Sequence, residues 1–207
     1  MALIAAEFIP VSLLTPIARD LAVTEGMAGQ TVTAVGVFAV LTSLLLAPLT
    51  GNIDRRRILL AFSAMLAASY MLIGIAPTYP IMLIGRAILG ICVGGFWSLA
   101  SAVTLQLVPT KDVPRALSIV YAGVSVATII ALPVASWIGH LIGWRNVFFL
   151  GALMAAFGFV WQYRALPSLP ARAGSGFRDM SALLRRTWIL AGIGGNILSF
   201  GGYHIFF

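Results

Sequence analysis

IMLIGRAILGICVGGFWSLASAVTLQLV, residues 81–108, holds a single charged residue, Arg86, in an otherwise uncharged and mostly apolar run. It exceeds the roughly 20 residues that cross a hydrocarbon core about 30 Å thick at about 1.5 Å per residue. Prolines bound it on both sides, in Pro77-Thr78-Tyr79-Pro80 before it and Pro109-Thr110-Lys111-Asp112-Val113-Pro114 after it. Proline has no amide to donate and keeps its predecessor out of the helical region, so both segments end helices. The stretch reads as one membrane-spanning helix between tight connections.

Comparable runs recur outward from it, at about 1–18, 28–50, 58–76, 116–138, 146–163 and 187–207. The whole chain of 207 residues is 60% hydrophobic and 9% charged, with a mean hydropathy of +1.02. Soluble domains carry about 25% charge, so the composition excludes a soluble enzyme, a disordered tail and a secreted disulfide scaffold. The single Cys92 excludes an internal disulfide and a multi-cysteine metal site. The reading is an all-α integral membrane protein, with a bundle of six helices over 1–165, a polar linker at 166–186 and a seventh helix at 187–207. The linker is rich in Pro, Gly, Ser and Arg, with a short surface helix expected near 179–184. The run at 1–18 lacks a basic flank and contains Glu7 and Pro10, so it is not a cleaved signal peptide. Apolar residues at both ends lead us to expect a fragment that continues into a second half.

Thirteen basic residues against six acidic ones give a formal net charge of +7. Ten of the thirteen fall in alternate loops: Arg55, Arg56 and Arg57, then Lys111 and Arg115, then Arg164, Arg172, Arg178, Arg185 and Arg186. The other loops hold only Arg19 and Arg145. This is a positive-inside pattern that places the amino terminus in the cytoplasm. The basicity therefore belongs to topology and to anionic lipid head groups, with no nucleic acid as a partner.

Four stretches resemble the major facilitator superfamily, specifically its twelve-helix drug/proton antiporters and, among those, purine ribonucleoside efflux pumps. They are Glu7-Phe8-Ile9-Pro10-Val11-Ser12-Leu13-Leu14-Thr15-Pro16-Ile17-Ala18 through Ala28-Gly29-Gln30, Asp54-Arg55-Arg56, Gly85-Arg86-Ala87-Ile88-Leu89-Gly90 through Gly94-Gly95-Phe96-Trp97, and Gly143-Trp144-Arg145-Asn146-Val147-Phe148. The chain departs from the family's loop motif at Thr50 and Arg57, where glycines are expected. It also departs from the antiporter motif of helix five, where Leu132-Pro133 keeps only the proline. The resemblance implies a bundle built from two inverted three-helix repeats, the first half of a twelve-helix protein. It also implies a secondary transporter of the inner membrane, without a cofactor, acting on a small solute and protons.

Few polar residues stand out inside the spans. Glu7 lies eleven residues, about 16 Å, from the end of the first run, close to the bilayer midplane. A carboxyl there costs on the order of 2.5–3.5 kcal/mol to insert and faces a cavity or a partner. It is read either as a proton-titrating or substrate-binding group or as a structural acceptor. Arg86 is read either as a proton-relay and structural arginine, which the resemblance implies, or as a long stem reaching the outer interface. Trp97 is a ring-stacking candidate or a packing residue. Gln30 lines a pathway or caps its helix, while Asp54, Arg55 and Arg56 form a gate or plain surface charge. Gly85, Gly90, Gly94 and Gly95 permit close helix packing. His204 is a packing residue or a titrating one. Pro10 and Pro133 lie inside their helices and permit kinks.

The expected function is proton-coupled efflux of a small polar solute such as a purine ribonucleoside, by alternating access. Sugar or multidrug efflux in the same superfamily is the alternative, and a partner-dependent fragment is a further one. No glycine-lysine phosphate loop is present to couple ATP directly, and no acid lies within helical reach of His140 or His204 to support a membrane-embedded enzyme.

Overall fold

A computed structural model describes residues 3, 13–51, 53–170, 186–192, 194–195 and 198. In chain order the helices are α1 (Leu14–Asp20), α2 (Glu25–Leu49), α3 (Arg55–Ile75), α4 (Tyr79–Leu107), a 3₁₀ turn at Thr110–Asp112, α5 (Val113–Ile142) and α6 (Trp144–Ala165). Residues 187–192 are helical as well. Glu7, Pro10, His204 and the surface helix expected at 179–184 lie outside the described residues.

Helices α2 to α6 each begin two or three residues before the apolar run that announces them. The first turns of α2 and α3 are fixed by side-chain caps. The Thr24 hydroxyl accepts from the Met27 amide at 3.2 Å, and Asp54 accepts from the Arg56 amide at 2.8 Å. Pro80 and Pro114 enter α4 and α5 in the first turn, where a missing N–H costs nothing. Gly143 alone joins α5 to α6, at φ +86°, a left-handed conformation that glycine tolerates. Helix α5 runs unbroken through Pro133, whose ring removes the amide that the Ile129 carbonyl would accept.

Among the described residues, five helices are long and apolar enough to cross a membrane. Their most extensive contacts pair α2 with α4, α3 with α6 and α3 with α4. Lipid removes the hydrophobic drive between helices, so association rests on close packing and interhelical hydrogen bonds. The packing is close. A Cβ on Gly94 would stand 2.1 Å from the Ala39 carbonyl oxygen, and one on Gly90 would stand 2.5 Å from that of Val35. Phe62 occupies the space a side chain at Gly95 would need, and Tyr70 the space at Gly151. The Ser69 hydroxyl donates to the Gly85 carbonyl at 2.8 Å, adding a bond between α3 and α4.

One core cluster runs from Leu13 and Ile17 through Val35, Tyr70, Met82 and Leu89 to Phe148. A second, of Leu46, Ile58, Leu59, Phe62, Leu99, Val103 and Leu169, sits at the end of the bundle where Arg55, Arg56 and Arg57 lie. We call this the basic end. The outward faces are apolar: Ile129 and Trp137 of α5, Leu153 and Trp161 of α6, and Val40 and Leu49 of α2 are exposed. Such a surface suits hydrocarbon and not water.

The α2–α4 contact yields a direct prediction. Gly94→Ala overpacks a backbone–backbone contact and is expected to destabilise the bundle by about 1–3 kcal/mol. Gly123→Ala, with nothing within 4 Å of its new methyl group, is expected to leave stability unchanged. Thermal unfolding in detergent measures both, and equal melting temperatures would contradict the packing described.

Candidate functional site

The polar groups of the bundle are distributed along its axis in three layers. At the end opposite the basic one, Arg145 ties three helices together. It pairs with Asp20 at the end of α1, donates from Nη2 to the Ala76 carbonyl after α3 at 2.7 Å, and lies 4.3 Å over the Trp144 ring. Trp144 Nε1 also donates to Asp20 Oδ2, at 3.2 Å. Gln30 belongs to this layer too. The Tyr79 hydroxyl donates to its Oε1 at 3.3 Å and to the Met27 carbonyl at 2.9 Å, joining the first turns of α2 and α4.

The second layer is Arg86. Its side chain is fully buried, and Nε donates to the Thr31 carbonyl of α2 at 3.2 Å. This geometry corrects the reading in which a long stem carries the charge to the interface. The Thr31 hydroxyl is engaged within its own helix, donating to the Ala28 carbonyl at 2.6 Å, so it is the backbone oxygen of Thr31 that bonds Arg86. A guanidinium remains charged, so its burial concentrates a fixed positive charge between α2 and α4.

The third layer is a cavity of about 470 Å³ in the half of the bundle nearer the basic end. Leu59, Phe62, Ser63 and Leu66 of α3 line it, with Phe96 and Trp97 of α4. Ile119, Val120, Gly123 and Val124 of α5 and Met154, Phe157 and Gln162 of α6 complete most of the wall, and Leu3 also reaches it. Trp97 is held by two neighbours: Tyr121 lies nearly parallel to it, 6.0 Å away at 18°, and Phe96 meets it edge-on at 5.7 Å. Its ring is therefore both packed and cavity-lining. The polar side chains of the described wall are Trp97, Ser63 and Gln162. The Ser63 hydroxyl donates to Gln162 Oε1 at 2.9 Å, which orients the amide and leaves its two N–H donors for a ligand. An apolar, aromatic wall with a few convergent polar groups is the usual make-up of a small-molecule pocket of this size.

Beyond the cavity, Asp54 and Arg56 close the basic end. Asp54 caps α3 and also accepts from the Ser168 hydroxyl and the Leu169 amide. The Ser168 bond foremost, then the Arg56 and Leu169 amides and the Arg57 charge, holds its carboxyl below the ordinary range. Asp54 is therefore a fixed negative charge at physiological pH. Arg56 donates to the Tyr163 carbonyl at 2.7 Å and lies over the Tyr163 ring, whereas Arg55 reaches the Thr50 hydroxyl at 3.2 Å.

The structure thus gives Asp54, Arg55 and Arg56, consecutive in sequence, side-chain partners of their own, and separates Arg86, Trp97 and Gln30. Trp97 lies eleven positions along α4 from Arg86, about 16 Å, with Gln30 at the far end. Sequence reasoning missed Ser63, Gln162, Asp20 and Ser168. Ser63 and Gln162 carried a signal in hindsight, since both are polar and fall at similar depth in neighbouring spans.

The Major Facilitator Superfamily model matches residues 1–207. The chain is 42% identical over 205 residues to purine ribonucleoside efflux pump NepI of Salmonella typhimurium, and equally to that of Salmonella typhi. In each case the match covers 99% of this chain and 52% of the relative, so the chain spans about half the length of the curated relatives it matches. With a helical bundle apolar on its outer faces, a buried arginine, an aromatic cavity and a family match along its whole length, the chain belongs to the major facilitator superfamily.

Proposed function

We propose that this chain forms one bundle of a secondary transporter that exports a purine ribonucleoside, or a solute of like size and polarity, in exchange for protons. The observation that carries the reading is the cavity beside Trp97. It is large enough for a small solute, offers aromatic faces for a base, and presents an oriented amide at Gln162 for the base edge. Amide side chains pair in a bidentate manner with purine edges, and rings of Trp and Tyr stack on them. The relatives' names, purine ribonucleoside efflux pumps, support the same substrate class. Transport, not catalysis, is the activity to which family and relatives point.

In this reading the basic end faces the cytoplasm of an inner-membrane protein, as the distribution of arginines favours. The cavity then loads from the cytoplasm, as an exporter requires. Glu7, at midplane depth by sequence, takes up and releases the proton, and Arg86 supplies the fixed charge that biases the event. Asp54, Arg55 and Arg56 gate the cytoplasmic end. Alternating access requires a second bundle from the other half of the longer protein, rocking against this one within the bilayer. The mainly apolar wall also favours a second reading, export of a hydrophobic drug.

Vesicles containing the full-length protein test both the coupling and the substrate. Glu7→Gln is expected to abolish proton-dependent uptake of inosine into inside-out vesicles while leaving inosine binding measurable. Unchanged proton-driven transport would remove Glu7 from the mechanism. Trp97→Ala is expected to weaken purine binding by the worth of a stacked base, about 1–3 kcal/mol, and so to raise the apparent KM roughly fivefold or more. An undiminished affinity for inosine, or a larger effect on a non-aromatic drug than on inosine, would contradict the purine reading.

A further inference from the structure

The stretch that follows α6 is bound to the start of α3 more firmly than a connecting segment needs to be. Residues 166–170 are irregular, yet Leu169 is locked by a reciprocal pair of bonds. The Arg55 amide donates to its carbonyl at 2.9 Å, and its own amide donates to Asp54 Oδ1 at 3.0 Å. The Ser168 hydroxyl donates to Asp54 Oδ2. The Leu169 side chain is only 4% exposed and packs into the core cluster of the basic end.

The consequence lies in the carboxylate. Oδ1 of Asp54 accepts from the amides of both Arg56 and Leu169, and Oδ2 accepts from Ser168. Both oxygens are engaged within this bundle, and two of the three donors come from the segment beyond α6. A group outside the bundle that is to bind Asp54 strongly must therefore compete with Ser168 and Leu169. The Arg56 bond is the helix cap and persists in either case, because it lies within α3 itself.

We propose that residues 166–170 form a clasp that occupies the Asp54 carboxylate, so that the linker and the gate at the basic end act as one switch. Leu169 is the anchor and Ser168 the releasable bond. While the clasp is closed, Asp54 is withheld from other partners; tension or charge on the linker that draws Ser168 away frees it. Ser168 and Leu169 are positioning residues, acting on transport only through Asp54. The inference rests on the reading of Asp54 as a gate, and its test separates the two.

The test uses the full-length transporter in detergent and in vesicles, with hydrogen–deuterium exchange resolved to peptides covering 55–58 and 166–169. Ser168→Asp sets a second carboxylate against Asp54, and Leu169→Ala removes the anchor. Each is expected to speed exchange of the Arg55 and Leu169 amides about tenfold and to change the rate of nucleoside efflux. The exchanged pair, Asp54→Ser with Ser168→Asp, keeps a helix-capping side chain at 54 and rebuilds the hydroxyl–carboxylate bond in reverse. It is expected to return exchange toward the parent value, which a merely misfolded variant would not do, while efflux stays altered because position 54 no longer carries the gate's carboxylate. Unchanged exchange in Ser168→Asp and Leu169→Ala overturns the clasp. Faster exchange with unchanged efflux overturns the gate, and the switch with it. Failure of the exchanged pair to restore protection overturns the role of Ser168.

Discussion

The contact of α2 with α4 through Gly90 and Gly94 sets the geometry on which the other interactions depend. Carbonyl oxygens of Val35 and Ala39 stand where side-chain carbons at these glycines would be, so the two backbones meet without intervening side chains. Only at such an approach does Nε of Arg86, one turn from Gly90 on α4, reach a backbone carbonyl of α2. Burial of that guanidinium is then tolerable, because its charge is met by oxygens of the protein where lipid offers none. The same contact fixes α4 about its axis and so decides that Trp97, farther along, lies in the wall of the cavity.

From this centre the bundle is closed differently at its two ends. At one, Arg145 gathers α1, α3 and α6 through Asp20, the Ala76 carbonyl and the Trp144 ring. At the other, Asp54 and Arg56 hold α3 to the end of α6 and to the residues after it. The cavity opens in the half nearer the second set, where α5 has its least intimate packing and much of its surface is exposed. On the proposed function, a solute site next to one closable end lets access change through a few exposed hydrogen bonds while the packed glycine contact stays intact. In the proposed mechanism a fixed charge suits Asp54 to that part and leaves proton uptake to a group deeper in the membrane.

The spans were legible because a bilayer imposes a length and a polarity on each helix. Their first turns were not, since Thr24, Asp54, Pro80 and Pro114 act through capping and dihedral restriction, which leave no trace in hydropathy. Arg86 announced itself as a charge in an apolar run, though sequence left open whether it surfaced; the backbone contact of α2 decided that. Polarity let Gln30 be read as lining a pathway or capping its helix; its bond with Tyr79 at the start of α4 is one that polarity did not show. The pairs Asp20–Arg145 and Asp54–Ser168 join residues more than a hundred positions apart. No local pattern encodes such a meeting; it follows from how six helices are stacked.

The central claim is that a purine nucleoside occupies the cavity bounded by Trp97 and Gln162. Photolabelling of the full-length transporter with 8-azidoadenosine, followed by peptide mapping, tests it most directly. The account predicts adducts that unlabelled inosine suppresses, on peptides carrying Phe96 and Trp97, residues 119–124 or residues 157–162. Inosine-protected labelling confined to other segments, with none on these, would contradict it.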